Sequence, residues 1–161
     1  MTQEDWDIKI ESPTNQKIIG VVIFYFLITF ILSRLMVYLV LGRWLPNFFL
    51  TVRGVHIHHF TYGVIILVLV GLYLILRRPD VESEMFKIAC AVYGIGLGLT
   101  FDEFGMWVRL ADTYWMRQSY DAIIVVFLTL LNIAYYRQVI SGVKELGILL
   151  KKIFLRLFSI G

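Results

Sequence analysis

The chain alternates long apolar stretches with short polar connections. The apolar stretches comprise residues 18–41, 55–76, 86–110 and 122–140. Each is close to or above the roughly 20 residues that a helix rising about 1.5 Å per residue needs to cross a hydrocarbon core of about 30 Å. The pattern therefore predicts an all-α polytopic membrane protein, with four transmembrane helices in a bundle that forms a single membrane domain. A composition that is 59% hydrophobic agrees with lipid as the main solvent.

The segments that flank the four stretches differ in character. Residues 1–17 are polar and acidic, and no small-residue cleavage site follows, so we expect the first stretch to remain as an anchor. Residues 141–161 alternate apolar and basic side chains at spacings close to a helical period. This pattern predicts a C-terminal amphipathic helix that lies in the membrane interface, and a partner-binding helix is the alternative.

The positions of the basic residues predict the orientation in the membrane. Of the 15 Lys and Arg, ten lie on the side of the two termini, four lie on the other side, and Arg34 lies within the first stretch. Because basic loops are retained in the cytoplasm, both termini are expected to be cytoplasmic. The net charge of +3 follows from this topology, and no nucleic-acid-binding motif accompanies it.

All three histidines occur in one motif, VHIHHFTYG, at the start of the second stretch. If this motif is helical, His56 and His59 share a face with Gly63, while His58 points elsewhere. Neutral imidazole is a common ligand of zinc, iron and copper. The motif therefore predicts a divalent transition metal, zinc or iron, bound by His56 and His59 with His58 as a further ligand.

The third stretch supplies the acidic residues that can complete such a site. Gly94, Gly98 and Asp102 follow one another at intervals of four, and small residues at this spacing let another helix approach closely. Asp102 should therefore face protein at the depth of His59, where it is a candidate metal ligand and catalytic residue. Glu103 is turned about 100° away and is the candidate general base.

Arg34 lies within the first stretch, roughly 12 Å from its end. An ionisable group at membrane depth costs on the order of 2.5 to 3.5 kcal/mol on insertion scales and persists chiefly where it is paired. We therefore predict a buried ion pair between Arg34 and either Asp102 or Glu103, with Tyr38 and Ser33 as hydrogen-bond supports.

Three more residues near the same membrane face are candidates for a supporting network, namely Tyr62, Asp112 and Asp121. Asp121 has a second interpretation, because either it or Ser119 can cap the fourth helix. Asp112 lies three residues after Arg109 and can form a local salt bridge with it at the surface.

The motifs GVHIHHFTYG and GLTFDEFGMWVRLADTYW, followed by SYDA, resemble a pattern found in small bacterial four-helix integral membrane proteins. The resemblance covers most of the second to fourth helices. It implies a shared four-helix core with a polar site in a bacterial or archaeal cell membrane, and it implies no activity. A looser resemblance is to membrane hydrolases related to alkaline ceramidase, which hold zinc with histidines and an acid among seven helices. This chain has fewer helices and lacks their spaced histidine motifs.

Three functions are consistent with these patterns. The first is a metal-dependent membrane enzyme that acts on a lipid or amphipathic substrate. The second is a structural or accessory membrane subunit, in which the polar cluster only fixes helix packing. The third is a proton-linked carrier. The expected partners are membrane lipids and either further copies of the chain or a larger membrane complex, with no nucleic acid.

Overall fold

The computed structural model describes residues 13–46, 51–52, 55–110 and 117–158. Its helices are α1 Pro13–Leu41, α2 His59–Arg77, α3 Glu84–Asp102, α4 Phe104–Arg109 and α5 Arg117–Phe158. Between α1 and α2, the strands β1 Thr51–Val52 and β2 Val55–His56 form a short antiparallel ladder in which Thr51 lies opposite His56. The predicted all-α class is confirmed.

Within the residues that the structure describes, four segments are long and apolar enough to cross a membrane: Thr14–Leu41, His59–Arg77, Glu84–Asp102 and Arg117–Tyr136. They correspond to α1, α2, α3 and the first half of α5. By helix length and composition the chain is therefore a multi-pass membrane protein. The ends of the bundle are distinguished below by their connections. The site end is the one where α1 finishes and α2 begins.

Helix α3 lies at the centre of the bundle and packs closely against α1. A Cβ atom added to Gly94 would lie 2.6 Å from the backbone oxygen of Val22, and one added to Gly98 would lie 2.7 Å from the Cβ of Thr29. Any larger side chain at these positions would push the two backbones apart. The prediction that this glycine stripe is a helix interface is confirmed, and its partner is α1.

A different side of α3 packs against α2. A Cβ atom on Gly63 would lie 2.8 Å from the backbone oxygen of Gly96 and would also collide with Thr100. The Thr100 hydroxyl donates a hydrogen bond of 2.7 Å to that same Gly96 oxygen, so it is satisfied within its own helix. Glycines on both helices thus bring α2 and α3 together just below the histidine motif.

The interior between the site end and the opposite end is apolar. Its buried cluster consists of Val22, Phe26, Cys90, Leu97 and Ile123. Cys90 is a buried free thiol, as expected of a core cysteine. Ile123 comes from α5, which packs against the bundle along only one of its faces.

Two sequence expectations about helix ends are wrong. His56 was expected on the second helix, but it lies in strand β2, because the backbone pairs with Thr51 before α2 begins at His59. Either Ser119 or Asp121 was expected to cap the fourth helix, but both lie inside α5, which already begins at Arg117. Helix α5 also continues past its membrane span to Phe158, with non-helical dihedral angles at Tyr135 (φ −131°, ψ 30°).

Replacement of Gly98 by Ala should destabilise the protein by about 1–3 kcal/mol, because the added methyl group overpacks the α1–α3 contact. Gly71→Ala is the matched control, since no atom lies within 4 Å of a Cβ at that helical position. Thermal unfolding of both variants in detergent micelles measures the difference. Equal melting temperatures for the two variants would show that the close approach of α1 and α3 is not required.

Candidate functional site

The site is built around a break in the helix that was expected to continue to residue 110. Helix α3 ends at Asp102, α4 begins at Phe104, and Glu103 between them has φ −104° and ψ 12°. At this break, backbone N–H groups have partners outside the regular hydrogen-bond pattern of an α-helix. The N–H of Met106 donates to the carbonyl of Glu103 at 3.0 Å, and the N–H of Gly105 donates to the Ser119 hydroxyl on α5 at 2.9 Å.

The carbonyl and the carboxylate of Asp102 both bind Arg34. The Nε atom of Arg34 lies 2.6 Å from Oδ1 of Asp102, and its Nη2 donates a hydrogen bond to the backbone oxygen of Asp102. Asp102 is 0% exposed and Arg34 is 8% exposed. The predicted buried ion pair is confirmed, and it joins α1 to α3 one turn beyond Gly98. We call it the inner pair.

Aromatic rings complete the surroundings of the Arg34 guanidinium. Its central carbon lies 4.8 Å from the ring centroid of Tyr120 on α5 and 5.3 Å from that of Phe30 on α1. Both distances allow cation–π attraction. Tyr38 was expected to support Arg34, but it is 60% exposed, so it is not part of the buried surroundings of the guanidinium.

Glu103 links α3 to the start of α2. Its Oε2 accepts a hydrogen bond of 2.9 Å from the N–H of Phe60, and its Oε1 lies 3.3 Å from Nδ1 of His58. The Phe60 N–H is one of the first N–H groups of α2, which have no carbonyl partner within their own helix. Glu103 therefore acts as a cap from another helix, where its negative charge is also favoured by the helix dipole. We call His58 and Glu103 the pocket pair.

His59 lies between the two pairs. Its Nδ1 is 3.7 Å from Oδ2 of Asp102 and 4.0 Å from Oε1 of Glu103. One imidazole thus faces both carboxylates and couples the inner pair to the pocket pair.

The structure brings together five of the residues singled out from the sequence: Arg34, His58, His59, Asp102 and Glu103. Tyr62 is partly buried on α2, and within the described ranges it makes no hydrogen bond to either carboxylate. Asp121 is exposed and lies 3.4 Å from Arg117, so it is outside the cluster. Asp112 and the side chain of His56 lie outside the described residues.

Sequence reasoning did not identify Ser119, Tyr120, Phe30 or Phe60 as parts of the site. Phe30 carries a signal, because it precedes Arg34 by four residues and so shares its helix face. Ser119 contacts the backbone at the break, and Phe60 contributes its backbone N–H at the start of α2. No residue pattern in the sequence indicates either contact.

The expected metal site gains no support from the described ranges of the chain. They contain no group of three or more His, Cys, Asp or Glu side chains arranged to hold a metal ion. The geometry explains this result, because Oδ1 of Asp102 binds Arg34 while the Glu103 oxygens face the Phe60 N–H and His58.

A pocket of about 320 Å³ lies beside the pocket pair at the site end. His58, Glu103 and Thr61 supply its polar groups, and its apolar lining consists of Phe60, Met106, Trp107 and Leu110. The rings of Phe60 and Trp107 are stacked, with centroids 5.5 Å apart. The inner pair is not in the lining. Within the cluster, the inner pair therefore joins helices in the interior, and the pocket pair borders the pocket.

Comparison of the chain with protein-family models, with curated proteins and with solved structures finds no match. The chemistry open to this site therefore has to follow from its own residues.

Replacement of Arg34 by Leu should destabilise the protein by about 3–5 kcal/mol, because it leaves the Asp102 carboxylate buried without its counter-charge. The double variant Arg34→Leu/Asp102→Asn removes both charges and should be more stable than Arg34→Leu alone. Equilibrium unfolding in micelles, with Asp102→Asn as the second single variant, completes the double-mutant cycle. A double variant that is less stable than Arg34→Leu would show that the charges do not compensate each other.

Proposed function

We propose that the chain is a multi-pass membrane enzyme that acts by acid–base chemistry on a lipid or other amphipathic molecule. The observation that supports this proposal is the position of His58 and Glu103, 3.3 Å apart, on one wall of a pocket with an otherwise largely apolar lining. A His–carboxylate pair at hydrogen-bond distance is a common arrangement for moving a proton.

The shape of the pocket suits a molecule with one polar end. Its volume of about 320 Å³ is at the lower end of the range of about 300–1,000 Å³ typical of small-molecule sites. A polar head group would contact the pocket pair, while an apolar portion would lie against the stacked rings of Phe60 and Trp107. Leu110 at the edge of the pocket is 90% exposed, so an apolar chain can extend from the pocket into lipid.

Glu103 is the proposed general base. It is 3% exposed, and the N–H of Phe60 and the ring of His58 hold its carboxylate in place. It would take a proton from water or from a substrate hydroxyl as the oxygen of that group bonds to an ester carbonyl carbon of the substrate. The proton would pass across the 3.3 Å contact to His58, which would deliver it to the leaving oxygen as the original C–O bond breaks. Asp102 is the proposed positioning residue, because its bond to Arg34 fixes the end of α3 immediately before Glu103.

The other candidate functions have less support. A zinc or iron ion held by His56, His58, His59 and Asp102 requires Asp102 to exchange its bond with Arg34 for a bond to the metal. A proton-linked carrier requires a polar path, whereas the core between the site and the opposite end of the bundle is apolar in the described chain. A structural subunit is consistent with the inner pair and with the cap that Glu103 places on α2, but it does not require a pocket beside His58.

Glu103→Gln should lower turnover by about 10²- to 10⁴-fold, because the amide cannot accept the proton. A suitable probe is the amphipathic ester p-nitrophenyl octanoate, with protein in vesicles and absorbance measuring the released nitrophenol. Glu84→Gln is the control, since Glu84 is an exposed carboxylate at the opposite end of the bundle. Quenching of Trp107 fluorescence by a spin-labelled lysolipid reports binding in both variants, with the other tryptophans replaced by Phe.

Saturable quenching without turnover would indicate a binding protein and contradict the proposed enzyme. The absence of both quenching and turnover would support the structural function. Stoichiometric zinc or iron in the purified protein, lost in His59→Ala, would instead support the metal-dependent form.

We further propose that the protein lies in a bacterial or archaeal cell membrane with both termini in the cytoplasm and the pocket on the opposite side. The excess of Lys and Arg near the termini supports this orientation. The start of α1 also lies beside the end of the α5 span, since Gln16 Nε2 donates to the Ala134 oxygen at 3.2 Å. The amphipathic tail would then lie on the cytoplasmic leaflet.

Fusion of alkaline phosphatase, which is active only outside the cytoplasm, should give an inactive enzyme at the C-terminus and an active one between residues 46 and 51. A fluorescent protein at the C-terminus serves as the complementary control and should fluoresce. The reverse pattern of activities would contradict the proposed orientation.

A further inference from the structure

Helix α5 has two distinct faces along its membrane span. Ser119, Ile123 and Ala134 are buried against the bundle. On a different face, Val125 is 62% exposed and Leu128 is 54% exposed, and Asn132 is exposed as well. The second face, which we call the seam, therefore meets lipid in a single copy of the chain.

Asn132 is a costly residue on a lipid-facing surface. Its amide lies inside the Arg117–Tyr136 span and makes no hydrogen bond to any residue of the described ranges. Thr129 nearby differs, because its hydroxyl donates to the backbone oxygen of Val125 at 2.8 Å. A polar group that faces hydrocarbon without a partner costs several kcal/mol, so a partner beyond the described part of its own chain would stabilise Asn132.

We propose that the seam is a homodimer interface, in which the Asn132 amides of two copies hydrogen-bond to each other. All copies insert with the same orientation, so two α5 helices that meet face to face are parallel, and equal positions lie level. An amide carries two donors and an acceptor, so one Asn132 satisfies another across a twofold axis. A second copy of the chain is therefore sufficient to satisfy the exposed Asn132 amide.

The spacing of the seam fits this arrangement. Val125, Leu128 and Asn132 are separated by three and then four residues, which is the spacing of core positions in a parallel two-helix coiled coil. With Thr129 and Ile133 they line an open depression that a second helix can enter. The seam ends at Tyr135, where the helical dihedral angles of α5 are interrupted.

The dimer would leave the pocket accessible. No residue of α5 contributes to the pocket lining in the described chain, and Ser119 contacts the site from a buried face of the helix. Association through the seam and chemistry in the pocket can therefore be tested separately.

Disulfide cross-linking in vesicles tests the position of the interface. In a Cys90→Ala background, Val125→Cys and Leu128→Cys should each form covalent dimers on mild oxidation. Val126→Cys is the matched control, because Val126 lies at the same depth but packs against the core, about 100° from Val125 and about 200° from Leu128 around the helix. Equal cross-linking at positions 125, 126 and 128, or none at 125 and 128, would overturn the proposal.

Energy transfer between donor and acceptor fluorophores attached to separate copies of the chain tests the role of the amide. The transfer is measured as the protein is diluted in lipid vesicles. Asn132→Leu should raise the dissociation constant of the dimer about three- to thirtyfold, as expected for loss of an interhelical hydrogen bond in a membrane. Asn132→Gln keeps an amide at this position and should retain most of the wild-type affinity. A wild-type chain that is monomeric at all dilutions, or an Asn132→Leu variant of unchanged affinity with an unchanged melting temperature, would overturn the proposal.

Discussion

The ion pair between Arg34 and Asp102 is the interaction on which the rest of the site depends. It joins the first and third spans where α3 stops being helical, and it uses both the carboxylate and the backbone oxygen of Asp102. Because the guanidinium binds that backbone oxygen, the chain can turn at Glu103 without leaving the carbonyl buried and unpaired. Glu103 then reaches the first turn of α2, and three helices become fixed relative to one another at one end of the bundle.

The glycines of α3 make this arrangement possible. Arg34 and Asp102 can meet at 2.6 Å only if the α1 and α3 backbones are close, and Gly94 and Gly98 allow that approach. Gly63 does the same between α2 and α3, so the histidines lie within reach of the acids. The close packing of the helices therefore sets the distances at which the polar side chains of the site can meet.

The sequence was sufficient for the spans, the glycine interface and the pairing of Arg34, because each depends on a periodic pattern or on the cost of a charge in lipid. It was not sufficient for the break at Glu103, since FDEFG follows an apolar run that could equally continue as a helix. The same limitation applied to the histidines. The interpretation of the histidine motif as helical favoured His56 over His58 as a site residue. In the structure, pairing of β2 with β1 delays the start of α2 and places His58 beside Glu103. Contacts through backbone groups, such as those of Phe60 and Ser119, leave no compositional signal.

The separation of Arg34 and Asp102 by 68 residues has a consequence for biogenesis. Synthesis proceeds from the N-terminus, so the first span leaves the ribosome while the acid that neutralises its charge has not yet been made. During that interval the arginine carries the cost of an unpaired charge in lipid, which hydration near the membrane surface lowers. Because α1 is synthesised before α3, the arrival of the third span removes this cost and favours the final depth of the first.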